Sequence, residues 1–204
     1  MNIASRPPTY FQQIFQDKVL EIEYFKAVAP RKEEEPSLHD DWVSAVDGSS
    51  DGYILTGCYD GFGRIWGAAG ICTHELDGHS GPVTSVCNVM PKGTEELWLT
   101  PTYEIVATAS KDRTLRLWKG EAITTFVGHT QCASSVVWPE RGTVYSASWD
   151  HSIRRWDVET RKNSLSVYCG KVISCIDIGG ESSALIAAGG SDPVIRIWDP
   201  RKPV

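Results

Sequence analysis

The amino-acid sequence predicts an all-β fold assembled from four copies of one unit, each made of four short strands. Two observations carry this expectation. Four nine-residue segments align without gaps on a Trp: Cys58 to Trp66, Ser110 to Trp118, Ser148 to Trp156 and Gly190 to Trp198. Each holds an Asp six residues before that Trp (Asp60, Asp112, Asp150, Asp192) and an Arg two residues before it (Arg64, Arg116, Arg154, Arg196). The runs around these segments are small and β-prone, and none repeats at the three-to-four-residue spacing of a helix.

The elements of a unit follow in order. An apolar strand comes first, as in Trp42 to Val46 and Val83 to Cys87. A second strand precedes each Asp: Ile54 to Gly57, Val106 to Ala109, Val144 to Ala147 and Ile186 to Gly189. A tight turn carrying Gly, Arg-Thr, His-Ser or Pro leads into the third strand, which ends in the Trp. The Trp-to-Trp spacings are 52, 38 and 42 residues, centred on the roughly 40–45 of a β-propeller blade. Approximate blade bounds are 39–76, 77–126, 127–168 and 169–204. Because a blade draws its outer strand from the segment after the Trp, the last blade is expected to lack that strand. Four blades predict an open, incomplete ring, which we read as a truncated form or one completed by another molecule.

A further pattern joins the strands of each unit. His39 precedes Asp60 by 21 residues, His129 precedes Asp150 by 21, and His79 precedes Asp112 by 33, the longer loop Pro91 to Glu104 making the difference. Four residues before each Asp stands a hydroxyl: Thr56, Thr108 and Ser146. The sets His39, Thr56, Asp60 and Trp66; His79, Thr108, Asp112 and Trp118; and His129, Ser146, Asp150 and Trp156 resemble the hydrogen-bonded tetrads of WD repeats. Buried indole, hydroxyl, imidazole and carboxylate groups must satisfy one another or cost several kcal/mol. A Ser-His-Asp hydrolase triad is the competing interpretation of Ser146, His129 and Asp150. Its recurrence in three units, without a nucleophile-elbow motif, argues for structure instead. In the fourth unit Lys171 and Ala188 replace the His and the hydroxyl, leaving Asp192 and Trp198. That unit is expected to rely on Val172, Ile176, Leu185, Ile195 and Ile197.

Composition bounds the function. A formal net charge of -6 and a pI near 5.4 argue against a protein that coats nucleic acid, which needs a basic surface. The six cysteines include no C-x-x-C pair, and no His tract is spaced for zinc, so no metal site or cofactor is expected and the thiols suit a reducing compartment. Met1 to Tyr10 lacks the apolar stretch of a signal peptide, and no run approaches the roughly 20 residues of a membrane span. A soluble, intracellular protein without catalytic residues is expected. Residues 1–38 differ in kind: Val19 to Phe25 alternates like one strand, and Arg31 to Pro36 has the character of a solvated linker.

Several segments go beyond generic repeats: Leu38 to Val46, Leu55 to Asp60 with Arg64 to Trp66, Ser146 to Glu159 and Ile197 to Arg201. Across roughly residues 18–203 they resemble the WD-repeat ribosome-biogenesis family of the Pescadillo complex. That resemblance implies a ubiquitin-like domain before a seven-bladed propeller. It also implies assembly with Pescadillo and the block-of-proliferation protein on the pre-ribosomal particle, in nucleolus and nucleoplasm of the nucleus, during ribosomal RNA maturation of the large subunit. In the family the ubiquitin-like domain engages the remodelling ATPase midasin. Here residues 1–38 hold a remnant last strand of that domain at most, so midasin binding is not expected. The junction Trp118 to Phe126 looks as though one blade was skipped.

Tyr59 and Trp149, beside the turns, are candidate partner contacts, against the plainer interpretation that they pack between blades. Arg64, Arg116, Arg154 and Arg196, with Lys111, Arg113 and Lys119, could meet RNA phosphates, or lay their stems on a sheet. The rival function is a substrate receptor of a cullin-RING ubiquitin ligase. It rests on Ile197 to Arg201, where Asp199 and Arg201 resemble the motif shown to the ligase adaptor. A regulator of an enzyme is a third class, with no specific residue in its favour.

Overall fold

Short strands of small and β-branched residues, cut by turns that an Asp opens, fold into four antiparallel sheets. The computed structural model describes residues 39–48, 53–67, 70–88, 105–140, 142–180 and 185–202, all within the unit His39–Val204. The expected strand at Val19 to Phe25, the linker Arg31 to Pro36 and the loop Pro91 to Glu104 lie outside them. Blade 1 pairs β1 (Val43–Gly48), β2 (Ile54–Cys58), β3 (Gly63–Trp66) and β4 (Cys72–Leu76) in sequence order. Blade 2 pairs β5 (Val83–Asn88), β6 (Val106–Ser110), β7 (Thr114–Lys119) and β8 (Glu121–Val127). Blade 3 pairs β9 (Ala133–Glu140), β10 (Thr143–Ser148), β11 (Ser152–Asp157) and β12 (Lys162–Tyr168). Blade 4 has three strands among the described residues: β13 (Ile173–Gly179), β14 (Leu185–Gly190) and β15 (Arg196–Trp198). No helix occurs among the described residues. Among the described residues the sheets form no closed ring, in keeping with the incomplete propeller that the repeat count predicts.

The turn between second and third strands is set by its Asp. Oδ1 of Asp60, Asp112 and Asp150 accepts the backbone N–H two residues on, at 2.9, 2.9 and 3.0 Å. The residue between is left-handed: Gly61 at φ 93°, Arg113 at 73° and His151 at 71°. In blade 4 that position is Pro193, whose ring fixes φ near −65°, so the left-handed form of the turn is excluded, although Asp192 still accepts the Val194 N–H. The consequence is visible in β15, which starts four residues after Asp192, whereas β7 and β11 start two residues after theirs.

Neighbouring blades are bolted by a hydroxyl. The innermost strand of each blade carries a register irregularity that leaves Ser44, Thr84, Ser134 and Ser174 out of the ladder. Three of these hydroxyls reach the next blade: Ser44 Oγ donates to Val83 O at 2.5 Å, Thr84 Oγ1 to Ala133 O at 2.5 Å and Ser134 Oγ to Ile173 O at 2.6 Å. Around each bolt lies an apolar junction. Leu55, Ile65 and Leu76 of blade 1 pack on Val83, Val86, Val106 and Trp118 of blade 2. Leu115, Leu117 and Phe126 of blade 2 pack on Val136, Val144 and Trp156 of blade 3, with the Phe126 and Trp156 rings 5.4 Å apart. Tyr145, Ala147 and Ile153 of blade 3 pack on Ile173, Ile176, Ile186 and Ala188 of blade 4.

One expectation needs correction here. Ile176 is buried, but Ile195 and Ile197 are 74% and 69% exposed, and Val172 and Leu185 are half-buried. Blade 4 is ordered instead by Ile173, Ile176, Ile186 and Ala188 against blade 3. The two exposed isoleucines occupy the positions of Leu115 and Leu117, which face a following blade. The ends of β1, β5, β9 and β13 line a cleft of about 570 Å³, with Asp47, Trp138 and Asp177 in its wall. Removing a junction side chain should open a cavity that the two rigid sheets cannot close: Leu117→Ala is expected to cost roughly 2–5 kcal/mol. Thr84→Val should cost about 1 kcal/mol, both read from urea-unfolding midpoints.

Candidate functional site

The polar residues singled out from the sequence fall into two groups, one inside the blades and one at their turn ends. In blades 2 and 3 the four members join in series. Trp118 Nε1 donates to Thr108 Oγ1 (2.9 Å), Thr108 meets His79 Nε2 (2.7 Å), and His79 Nδ1 meets Asp112 Oδ2 (2.8 Å). Trp156, Ser146, His129 and Asp150 repeat this at 2.8, 2.7 and 2.8 Å. The carboxylate accepts a second hydroxyl two residues on, from Thr114 or Ser152, at 2.6 Å in each blade. Burial pushes His129 below its ordinary pKa against the opposing pull of Asp150. A neutral His129 therefore carries its proton on Nδ1, toward Asp150, and accepts from Ser146 at Nε2. Burial works against ionisation of Asp112 and Asp150, but hydrogen bonds from the His and the hydroxyl outweigh it. Asp150 is held down at about 2, and Asp112 lies lower still.

Blade 1 departs from the expected series. His39 Nε2 meets Thr56 Oγ1 at 2.9 Å and Trp66 Nε1 donates to the same oxygen at 2.8 Å. His39 Nδ1, however, is 4.0 Å from Asp60. The Arg64 guanidinium stands between them, 2.7 Å from each, and also pairs with Glu75 at 3.0 Å. Burial and the Arg64 charge together lower the His39 pKa. Since Arg64 can only donate, His39 accepts at Nδ1 and carries its proton on Nε2, the tautomer opposite to that of His129.

The residue two after each Asp explains this insertion. Where it is Thr114 or Ser152, the Asp is satisfied and the Arg lies over the Trp, with Arg116 and Arg154 each 5.9 Å from the ring centroid. Gly78 and Gly128 make room: a Cβ on Gly128 would come within 2.8 Å of Arg154 Nη1 and 3.0 Å of Trp156. Where the residue is Phe62 or Val194, no hydroxyl is supplied and the Arg turns onto the carboxylate, as Arg64 on Asp60 and Arg196 on Asp192. Blade 1 also carries Leu38 where blades 2 and 3 have Gly. In blade 4 Trp198 Nε1 has no partner, as expected with Ala188 at the hydroxyl position. Sequence reasoning missed Arg64 as a member of the network, although Phe62, in place of a hydroxyl, was its signal. Three of the four arginines are ion-paired with the Asp of their own blade, Arg154 only loosely at 4.0 Å, and Arg116 and Arg154 lie over indoles.

Chemically, the networks support structure. Each Ser or Thr hydroxyl is engaged by an indole and an imidazole, and Thr108 and Ser146 are fully buried. Cys58 stands in for Ser110 and Ser148: all three accept the N–H of the adjacent Asp turn, and Cys58 Sγ donates to Asp41 O at 3.1 Å. His39, Cys58 and Asp60 present ligand atoms within 4.8 Å of one another, but Arg64 puts a positive charge between His39 and Asp60, where a metal ion would have to sit. All six cysteines are free thiols.

The second group ranges from half-buried (Tyr59, Asp199) to exposed (Trp42, Trp149, Arg201). Trp42, 78% exposed, stacks on Tyr59 with centroids 6.3 Å apart, and Lys111 of blade 2 places Nζ 4.3 Å above the Tyr59 ring. Trp149, at the equivalent turn of blade 3, is 43% exposed, and His151 meets Tyr168 beside it. Tyr59 thus does bridge two blades, while Trp149 offers its face to solvent. Asp199 and Arg201 pair with each other, Asp199 accepting from Nε and Nη2 at 2.8 Å each.

With four Trp-terminated sheets, two complete tetrads and one altered one described, comparison with known proteins agrees. The family model described as WD domain, G-beta repeat matches residues 35–67, 70–119, 120–157 and 162–199. The chain belongs to that family. Among curated relatives, "Ribosome biogenesis protein WDR12 homolog" of Arabidopsis thaliana is 46% identical over 269 residues, covering 93% of this chain and 60% of that protein. The protein of the same name from Oryza sativa subsp. japonica is 41% identical, covering 92% and 60%. The chain thus spans about 60% of the length of these relatives. The Arabidopsis alignment has more positions than the chain has residues, a surplus larger than one repeat, so the relative carries residues within the aligned span that this chain lacks. In solved structures, the WD40 β-propeller domain of Doa1 matches with TM-score 0.67 at 23% identity, over 78% of this chain and 50% of that one. The computationally designed Ika4 protein matches with TM-score 0.64 at 19% identity, over 81% and 95%. Both show the fold.

Two outcomes are expected. Arg64→Ala should destabilise blade 1 by about 3 kcal/mol, because it strands Asp60, whereas Arg116→Ala should cost below about 1 kcal/mol; thermal unfolding of the two variants checks this. The depressed carboxylates stabilise the fold fully above about pH 4, their unfolded value. That contribution is lost as pH falls toward the depressed folded values. Asp150→Asn should therefore flatten the loss of stability between pH 4 and 2, measured by urea unfolding across that range.

Proposed function

We propose that this chain is a non-enzymatic protein-interaction scaffold in biogenesis of the large ribosomal subunit. Its place is on the pre-ribosomal particle in the nucleolus and nucleoplasm, beside Pescadillo and the block-of-proliferation protein, during ribosomal RNA maturation. The supporting observation is the 46% identity, over 93% of the chain, to a relative named as a ribosome biogenesis protein. The geometry is consistent with a scaffold: the recurrent Ser/Thr-His-Asp sets are spent inside the blades, and the turn ends expose Trp42 and Trp149 among charged residues. Trp42 and Trp149 are the anchors of this proposed partner surface, since partly exposed tryptophans supply large contact area at low entropic cost. The ligase-receptor reading loses ground because the Arg201 guanidinium is already engaged by Asp199.

Tagged chain incubated in nuclear extract should enrich Pescadillo and its block-of-proliferation partner. Joint Trp42→Ala and Trp149→Ala substitution should lower that enrichment at least tenfold with the fold intact by circular dichroism. Absence of both proteins, with the ligase adaptor recovered instead, would overturn the proposal.

A further inference from the structure

The turn ends of blades 2 and 3 gather exposed rings and cations that the blades themselves do not use. Trp149 is 43% and Tyr168 73% exposed. His151 stands beside Tyr168, with ring centroids 5.9 Å apart and Nδ1 3.3 Å from the phenol oxygen. The Trp149 N–H donates to Cys132 O and the Cys169 N–H to His151 O, so backbone bonds fix where these rings leave the blade. Tyr59, the counterpart of Trp149 in blade 1, is covered by Lys111 from the following blade. The counterpart of Lys111 in the blade after Trp149 is Ser191, too short to cover an indole. Among the described residues no ring or cation lies on Trp149.

The accessible charge around these rings is of one sign. Lys111 and Arg113 in the blade 2 turn are exposed, and neither is ion-paired among the described residues. Lys171, also exposed, follows Tyr168 by three residues. Lys111 is close to blade 3: burial raises the pKa of the Cys132 thiol, and the Lys111 charge opposes that rise. The carboxylates of the same turns are withdrawn. Asp112 and Asp150 are 6% exposed and bound to His79 and His129, and Asp192 is paired with Arg196. The exposed acids at the turn ends, Asp40, Asp41 and Asp77, lie on blade 1 or just after it. Blades 2 and 3 have neighbours on both sides, so what lies beyond blades 1 and 4 does not determine this exposure.

Exposed rings flanked by unpaired cations match a ligand that alternates flat faces with negative charges. A nucleic acid strand presents both when its bases are unpaired. A duplex hides the faces, and an acidic peptide carries rings only where its sequence holds them. We propose that single-stranded RNA crosses the turn ends of blades 2 and 3, its bases stacking on Trp149 and Tyr168 and its phosphates meeting Lys111, Arg113 and Lys171. The net charge of -6 confines the contact to this patch and to a few nucleotides. It reads no sequence, because any base offers a face to the rings and any phosphate a charge to the cations. The choice of RNA over DNA rests on the proposed role in ribosome biogenesis; the match to an unpaired strand does not.

Fluorescence anisotropy of the purified full chain with a labelled, unpaired RNA octamer tests it. Binding with a Kd of about 1–100 µM at low salt is expected. A fourfold rise in salt should weaken it about twentyfold, the slope of three phosphate contacts. Trp149→Ala and Tyr168→Ala should each weaken it about tenfold. Joint Lys111→Gln and Arg113→Gln substitution should leave the salt dependence of about one contact. These four positions are exposed, so the fold should persist, as circular dichroism checks. Ile71→Ala, exposed at the opposite end of blade 1, should change nothing. Absence of binding up to about 300 µM protein, duplex RNA bound as tightly, or ring variants without effect each overturns the proposal. Tighter binding of an octapeptide alternating Glu and Phe overturns it too and assigns the patch to an acidic peptide. None of these results touches the scaffold role, which is decided by recovery of Pescadillo and its partner from nuclease-treated extract.

Discussion

The carboxylate that opens each β2-type turn is the group on which the rest of a blade depends. One oxygen fixes the turn through the backbone N–H two residues on, and the other receives whatever cation or donor the blade provides. In blades 2 and 3, and by way of Arg64 in blade 1, the bonds run on through imidazole and hydroxyl to the indole that closes the third strand. A sheet of four short strands has little ladder of its own, and such a network supplies the cross-strand ties that a small antiparallel sheet needs. Because the network sits within one blade, the apolar faces on either side are free to pack on neighbours.

Two solutions to the same problem coexist in this chain. With a hydroxyl two residues after the Asp, the imidazole binds the carboxylate and the arginine lies across the indole. Without it, the arginine takes the carboxylate. In blade 1 this reverses the imidazole's proton, so His39 and His129, at equivalent places, hold opposite tautomers. The arrangement is an ion pair in blades 1 and 4 and a neutral donor meeting a carboxylate in blade 3.

The repeat, the strand order and the members of the tetrads were legible in the sequence because each depends on residue type at fixed spacing. The fate of Arg64 was not, because it depends on Phe62 and on the geometry of a glycine position rather than on the tetrad residues themselves. The exposure of Ile195 and Ile197 was missed for a different reason. Periodicity tells which face of a strand is apolar, but whether a neighbour covers that face is a property of the assembly. The blade-to-blade hydroxyls were hidden too: Ser44, Thr84 and Ser134 look like ordinary outward strand residues until the register irregularity turns them toward the next sheet.

That irregularity also shapes how the molecule comes apart. Each hydroxyl bolt and each apolar junction ties one sheet to its immediate neighbours, so cohesion is local and passes along the row link by link. Blade 2 and blade 3 are held on two sides and carry complete internal networks. Blade 4 packs on blade 3 alone among the described residues, has an unpaired Trp198 indole and a third strand cut short by Pro193. Local opening is thus easiest in blade 4, and its amide protons should exchange faster than those of blades 2 and 3.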